Sequence, residues 1–193
     1  KRCAHQLVPG TTAIVIGVGG IGHMAIQLLV ALSSVRIVAV DVRDDALELA
    51  RSAGADAAVS SLDLTPEELR AEVGSRGAGV VLDCVASDAT LALAAGAVSI
   101  GGDICYIGRA GGTLGVNPAL LPFECSVVLP SWGTLPELAE VVALARSGAI
   151  HVEVERVSLE QTVEAYGRLK RGELRGRAVA VPARSSSLQK SPS

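Results

Sequence analysis

The sequence predicts an α/β domain: a doubly wound parallel sheet of about six strands, with helices on both faces. Three observations predict it. Short runs of β-branched and small apolar residues alternate with segments of helical periodicity along the chain. Apolar residues make up 49% of the chain but aromatics only 2%, so the core is built from Val, Ala, Leu and Ile, the filling of a parallel sheet buried on both faces. A glycine-rich turn stands between the first strand and the first helix, at residues 17–22.

The elements follow in order. Residues 13–17 are a short apolar run ending at Gly, read as a buried strand. Ile21, Met24, Ala25, Leu28, Leu29 and Leu32 then fall on one stripe of a helix over 20–32. A strand over 35–40 ends at Asp41, and a helix over 44–53 is stopped by Gly54. After a brief strand at 57–59, Thr65-Pro66-Glu67-Glu68 marks a helix start, with a capping hydroxyl, Pro at the first helical position and acids in the first turn. Strands are expected at 79–85 and 102–108, separated by an Ala-rich helix that Asp88 caps. Beyond them come a Gly- and Pro-rich loop over 109–122, a strand at 124–129, a helix at 136–147, an extended run at 152–157, a helix at 159–169 and a last strand at 177–181. No repeat and no internal boundary is visible. The expected organisation is the end of a linking helix at 1–8, one dinucleotide-binding domain at 9–182 and a disordered, Ser-rich tail at 183–193.

Composition excludes several classes. The 193 residues carry 17 Lys plus Arg against 20 Asp plus Glu, a net charge of −3. Bulk charge gives no reason to bind nucleic acid or an anionic membrane. One Trp, two Tyr and one Phe cannot build a base-stacking platform. No apolar run is long enough for a bilayer span, and Lys1 to Gln6 does not open a signal peptide. Cys3, Cys84, Cys105 and Cys125 stand far apart, as do His5, His23 and His151, so no metal-ligand spacing is present. Cys3 and His5 alone cannot fix a metal. Cys84 and Cys105 lie in apolar runs and read as buried free thiols, which points to a reducing, cytoplasmic compartment.

The chemistry lies in Gly17-Val18-Gly19-Gly20-Ile21-Gly22, a G-x-G-x-x-G. Its setting gives it weight: a strand before, a helix after, and Asp41 ending the next strand. This is the Rossmann arrangement. Gly17 makes the turn, Gly19 lets the backbone approach a pyrophosphate, and Gly22 lets helix and strand pack closely. Gly20 and Ile21 lead into a helix whose N-terminal N–H groups favour phosphate. Asp41 suits both ribose hydroxyls of NAD and repels a 2′-phosphate, with Val42 and Arg43 beside it. Arg43 also keeps an NADP reading open, against a solvated surface Arg or a minor adenosine contact. A methyltransferase shares the glycine loop and the acid, but not this full spacing. A purely structural Gly-rich turn is the bland alternative.

These residues resemble the cofactor domain of medium-chain, zinc-type alcohol dehydrogenases. The likeness runs through Pro9-Gly10, the glycine motif with His23, Ala39-Val40-Asp41, and Leu49-Ala50-Arg51-Ser52-Ala53-Gly54-Ala55-Asp56. It continues in Val81-Leu82-Asp83-Cys84-Val85, where Cys84 and Val85 match the family's lining of the nicotinamide ribose. Tyr106-Ile107-Gly108 matches the end of the fifth strand, placing Ile107 and Gly108 beside the nicotinamide. Ser131-Trp132-Gly133-Thr134 resembles the family's G-S-x-x-G-T stretch, and Gly176-Arg177-Ala178-Val179 its closing G-R-x-V, whose Arg (here Arg177) approaches the phosphates.

The resemblance implies NAD as cofactor and hydride transfer between an alcohol and an aldehyde or ketone. It also implies that the zinc ligands and the proton relay lie in an upstream substrate domain, so neither catalytic nor metal-ligating residues are expected here. Lys1 to Leu7 would then be the connecting helix. In the family, subunits pair through the cofactor domain, which implies a homodimer through residues 113–129. Two other readings stand beside this: a non-catalytic NAD-binding remnant or partner subunit, and a zinc-free quinone reductase relative using NADPH. Among the remaining polar residues, His23 reads as a packing or hydrogen-bonding group, and Asp83 as either a crevice residue or a cap. Arg109 reads as loop surface, and Asp44 and Asp45 as helix-start acids.

Overall fold

The computed structural model describes residues 2–182. The described residues divide into two compact units, one up to His151 and one from Val152. The first holds a six-stranded sheet in the order β3-β2-β1-β4-β5-β6. Its strands are β1 (Thr12–Ile16), β2 (Arg36–Asp41), β3 (Ala57–Ser60), β4 (Ala78–Asp83), β5 (Val98–Tyr106) and β6 (Ser126–Val128). Every pairing is parallel. Its helices are α1 (Gly22–Leu32), α2 (Asp44–Ser52), α3 (Pro66–Val73), α4 (Asp88–Ala97) and α5 (Leu135–Arg146).

The pleat explains the two-sided core. All five residues of β1 are buried. Ala13 and Val15 point to one face, where they join Ile26 and Leu29 of α1 and Leu49 and Ala50 of α2. Ile14 and Ile16 point to the other, with Leu69 and Val73 of α3 and Leu93 and Ala94 of α4. Successive side chains of a strand alternate faces, so a helix layer on each side is the only way to bury both sets. Each fully buried Ile or Leu contributes about 1.5–3 kcal/mol of transfer free energy.

The chain winds outward from β1 through β2 to β3, then returns to β4 on the other side of β1. Ile16 pairs with Val40 in one direction and with Asp83 in the other. The carboxyl ends of β1, β2 and β4 therefore lie side by side at the point where the winding reverses, which is where open α/β sheets bind ligands.

Several local expectations shift. The described part of residues 1–8 holds a 3-10 turn, Ala4–Gln6, rather than α-helix. The N-cap of α4 is Ser87, in a reciprocal box with Thr90, rather than Asp88. The Asp88 carboxylate instead accepts the backbone N–H of Thr113 at 2.8 Å. β5 starts at Val98, before the expected 102, because the chain passes directly from α4 into it.

The second unit contains β7 (Val154–Ser158), α6 (Thr162–Lys170) and β8 (Arg177–Val181). Its two strands pair in parallel, and Arg168 reaches back from α6 to form a bidentate pair with Glu155. The sequence reading runs one domain across His151, where no change of composition marks a division. The expected tail at 183–193 lies outside the described residues.

Candidate cofactor crevice

Gly17 follows β1 with φ +84, a left-handed conformation that disfavours a side chain. Its N–H is bound to Val40 O at 2.8 Å, so the turn is anchored to β2. A Cβ on Gly22 would fall 1.9 Å from the carbonyl oxygen of Gly17. Only Gly lets α1 start this close to the turn. Around Gly19, by contrast, an added Cβ would meet nothing within 4 Å. The middle glycine faces open space.

No side chain caps the first turn of α1, whose N-cap position is held by Ile21. Such a helix start leaves N–H groups and a partial positive charge for an anion. The next residue but one is fixed inward: His23 is fully buried, and its Nδ1 lies 2.8 Å from Gly19 O. A carbonyl only accepts, so Nδ1 carries the proton. His23 stiffens the glycine turn from behind.

Asp41 closes β2. Its Oδ2 accepts the N–H of Val18 at 2.7 Å, and its Oδ1 accepts the N–H of Arg43 at 3.0 Å. Val42 is exposed beside it. The Arg43 guanidinium turns to Asp45, with Nε–H donating to Oδ1 at 2.8 Å and Nη2 to Oδ2. That hydrogen bond raises the Arg43 pKa and holds the Asp45 carboxyl below the usual range.

The third wall comes from the ends of β4 and β5. Asp83 is fully buried. Its Oδ1 accepts the N–H groups of Val85 and Ala86 at 2.9 and 2.8 Å, while Oδ2 is buried without a hydrogen-bond partner. Its backbone carbonyl accepts the N–H groups of both Ile107 and Gly108 at 2.9 Å. Asp83 is thus the knot of this wall, tying the turn after β4 to the end of β5. Ala86 passes through it at φ 60. Val85 O and Ala86 O accept the N–H groups of Ala110 and Gly112, extending the stitching along the loop. Burial, helped by the charge of Asp83, pushes the Cys84 thiol up to about 12; it is an inert neutral thiol at physiological pH.

Between these walls lies a cavity of about 430 Å³ lined by Gly17, Asp41, Val42, Ser61, Val85 and Ser87 among others. Gly17, Gly19, Gly20, Ile21 and Gly22 form one turn that the Val18 N–H ties to Asp41, with Val42 and Arg43 following, and the Asp83 carbonyl ties the strand end before Cys84 and Val85 to Ile107 and Gly108. Ser131 is exposed between β6 and α5, and Arg177 opens β8 in the second unit. Sequence reasoning missed Ser61 and Ser87, which line the cavity, and the clasp of Asp45 on Arg43. Ser87 had a signal in the S-x-x-T spacing to Thr90; Ser61 and the Asp45 clasp had none. Arg109 is exposed, as expected.

A glycine turn at a helix start, an acid at the second strand and a crevice at the winding reversal define a dinucleotide-binding type of α/β domain. A family profile for zinc-binding dehydrogenases matches residues 20–147. The chain belongs to that family. It is 33% identical over 181 residues to an NAD-dependent alcohol dehydrogenase of Sulfurisphaera tokodaii, covering 92% of this chain and 52% of that protein. Among solved structures it resembles the alcohol dehydrogenase of Aeropyrum pernix, with a TM-score of 0.88 and 33% identity over 94% of this chain and 53% of the other. It also resembles the acetophenone reductase of Geotrichum candidum in complex with NAD, with a TM-score of 0.76 and 26% identity over 89% of this chain and 48% of the other. The chain spans about half the length of the relatives it matches.

The crevice fits a dinucleotide: the space beside Gly19, the uncapped α1 and the oriented Asp41 supply a place for pyrophosphate and ribose. Zinc has no matching donor set, since no three His, Cys, Asp or Glu side chains converge on a metal position among the described residues. No helix of those residues is long and apolar enough to cross a membrane.

Proposed function

We propose that this chain is the cofactor-binding half of an NAD-dependent alcohol dehydrogenase. The placement of Asp41 carries the reading. Its carboxylate is aimed by hydrogen bonds from Val18 and Arg43 and lines the cavity at the carboxyl end of β2. Each carboxylate oxygen keeps a lone pair for a ribose hydroxyl. A 2′-phosphate here would meet a negative charge, with Arg43 already held by Asp45. The first turn of α1 and Gly19 receive the pyrophosphate. Cys84, Val85, Ile107 and Gly108 form the wall that orients the nicotinamide end; by family likeness alone, Ser131 is assigned to the cofactor's surroundings and Arg177 to its phosphates. When bound, the nicotinamide accepts or gives the hydride, and the protein supplies binding and orientation.

The partner in this reading is a second copy of the chain, meeting it through residues 113–129. β6 is the edge of the sheet, and Val116, Phe123 and Leu129 on this segment are 74%, 72% and 71% exposed. An apolar edge with unpaired backbone groups favours pairing. Four free thiols suit a reducing compartment such as the cytoplasm.

Fluorescence titration of the purified chain with NADH and with NADPH tests the cofactor assignment. Tighter NADH binding is expected. Equal or tighter NADPH binding overturns the choice of NAD, and binding of neither overturns the crevice itself.

A further inference from the structure

Away from the crevice, the segment before β1 is fastened along β5 at three points. Gln6 Nε2 donates to Gly101 O at 2.6 Å. His5 Nε2 lies 3.4 Å from Asp103 Oδ2. Cys3 Sγ lies 2.9 Å from Cys105 Sγ, although 102 residues separate them. Both thiols are free and buried, yet both line an apolar cavity of about 320 Å³ that also touches Leu7, Leu29, Leu82 and Trp132.

We propose that Cys3 and Cys105 form an oxidisable dithiol, which closes to an intramolecular disulfide when a hydroperoxide enters through this cavity. The two sulfurs share one contact in which either thiol can donate, and burial together with the negative charge of Asp103 acts on both. Whichever sulfur meets the peroxide first is the nucleophile and the other resolves it; with Cys105 first, the steps are these. The Cys105 thiolate sulfur attacks one peroxide oxygen, the O–O bond breaks, and the departing hydroxide leaves as water after taking a proton. Cys105 is now a sulfenic acid. The Cys3 sulfur attacks it, the S–S bond forms, the S–O bond breaks, and the hydroxide leaves as water with the Cys3 proton. Two thiols and one hydrogen peroxide become one disulfide and two waters, each sulfur losing one electron to the peroxide oxygens.

The bond would fix the leading segment onto β5, the strand next to the β6 edge. Cys105 pairs in register with Leu82 of β4 and Val128 of β6, and it precedes the Tyr106-Ile107-Gly108 wall by one residue. Closing so long a loop restricts the unfolded chain, so oxidation raises the melting temperature.

The test exposes the purified chain to hydrogen peroxide, alkylates the remaining thiols and maps peptides without reduction. The expected product is a Cys3–Cys105 cross-linked peptide with Cys84 and Cys125 alkylated, a raised melting temperature, and reversal of both by dithiothreitol. Cys3→Ser should halt at a Cys105 sulfenic acid that dimedone labels, with no rise in melting temperature. Cross-links through Cys84 or Cys125, overoxidised Cys105 without a cross-link, or an equal thermal shift in Cys3→Ser would each overturn the proposal.

Discussion

The backbone N–H of Val18 donates to Asp41 Oδ2 at 2.7 Å. Together with the Gly17 N–H bond to Val40 O, this bond joins the glycine turn after β1 to the end of β2. With the second bond from Arg43 N–H to Oδ1, it sets the carboxylate plane before any ligand arrives. A preset carboxylate avoids an ordering cost on binding. Replacing Asp41 by Ala should weaken NADH binding about 10-fold, since hydrogen bonds to a charged group are worth about 1.5–3 kcal/mol. NADPH affinity should hold or improve, because the repelling charge has gone. Parallel titrations read both, and an unchanged NADH affinity would remove Asp41 from the site.

Asp45 predicts a second shift in cofactor preference. It occupies the Arg43 guanidinium, the cation best placed to meet a 2′-phosphate. Asp45→Asn weakens that clasp, and NADPH affinity should rise several-fold while NADH affinity stays within about 2-fold. Acid should act in the same direction on this pair. The folded pKa of Asp45 is depressed by Arg43, so the clasp is intact above the ordinary Asp value of 3.8 and is lost as pH falls through the depressed value. If Asp45→Asn leaves the NADH/NADPH ratio unchanged, Arg43 is surface only.

A third outcome follows from close approach. Gly22→Ala puts a methyl group where the Gly17 carbonyl oxygen already sits. The start of α1 must move away from the turn, at about 1–3 kcal/mol. Urea unfolding should show a lower midpoint with an unchanged slope, and NADH binding should weaken further than stability alone explains. Gly19→Ala meets open space and should spare the midpoint while still crowding the ligand. Equal effects on stability would contradict this division of roles.

The sequence carried these glycines because their spacing is the geometry itself: a turn, an open approach and a tight helix start need three small residues in fixed order. The alternation of strands and helices was legible for the same reason, since burial on two faces forces apolar periodicity. What stayed hidden depends on long-range placement. Nothing local shows that Cys3 meets Cys105, or that Arg43 turns to Asp45 rather than to solvent. The capping role went to Ser87 instead of Asp88 because the hydroxyl can form a reciprocal box with Thr90, leaving Asp88 to hold Thr113. Pro9 and Gly10, the latter at φ 84, stop helical structure before β1, as their sequence suggests.

The edge of the sheet yields the last expectation. β6 is only three residues long, Ser126–Val128, and it pairs with β5 alone. Its outer backbone groups, together with Val116, Phe123 and Leu129, form an apolar margin without a Lys or Arg between Ala110 and Leu129. Protected edges usually carry such charges. A two-fold contact here would pair the edges and cover Phe123 in one step, because an isologous interface meets its own patch. Phe123→Glu puts two like charges near the axis of that contact and should convert dimer to monomer in sedimentation velocity. The side chain is 72% exposed within one chain, so the substitution should leave the melting temperature of the monomer nearly unchanged. A wild-type chain that stays monomeric at high concentration, or a Phe123→Glu chain that stays dimeric, would place the pairing surface elsewhere.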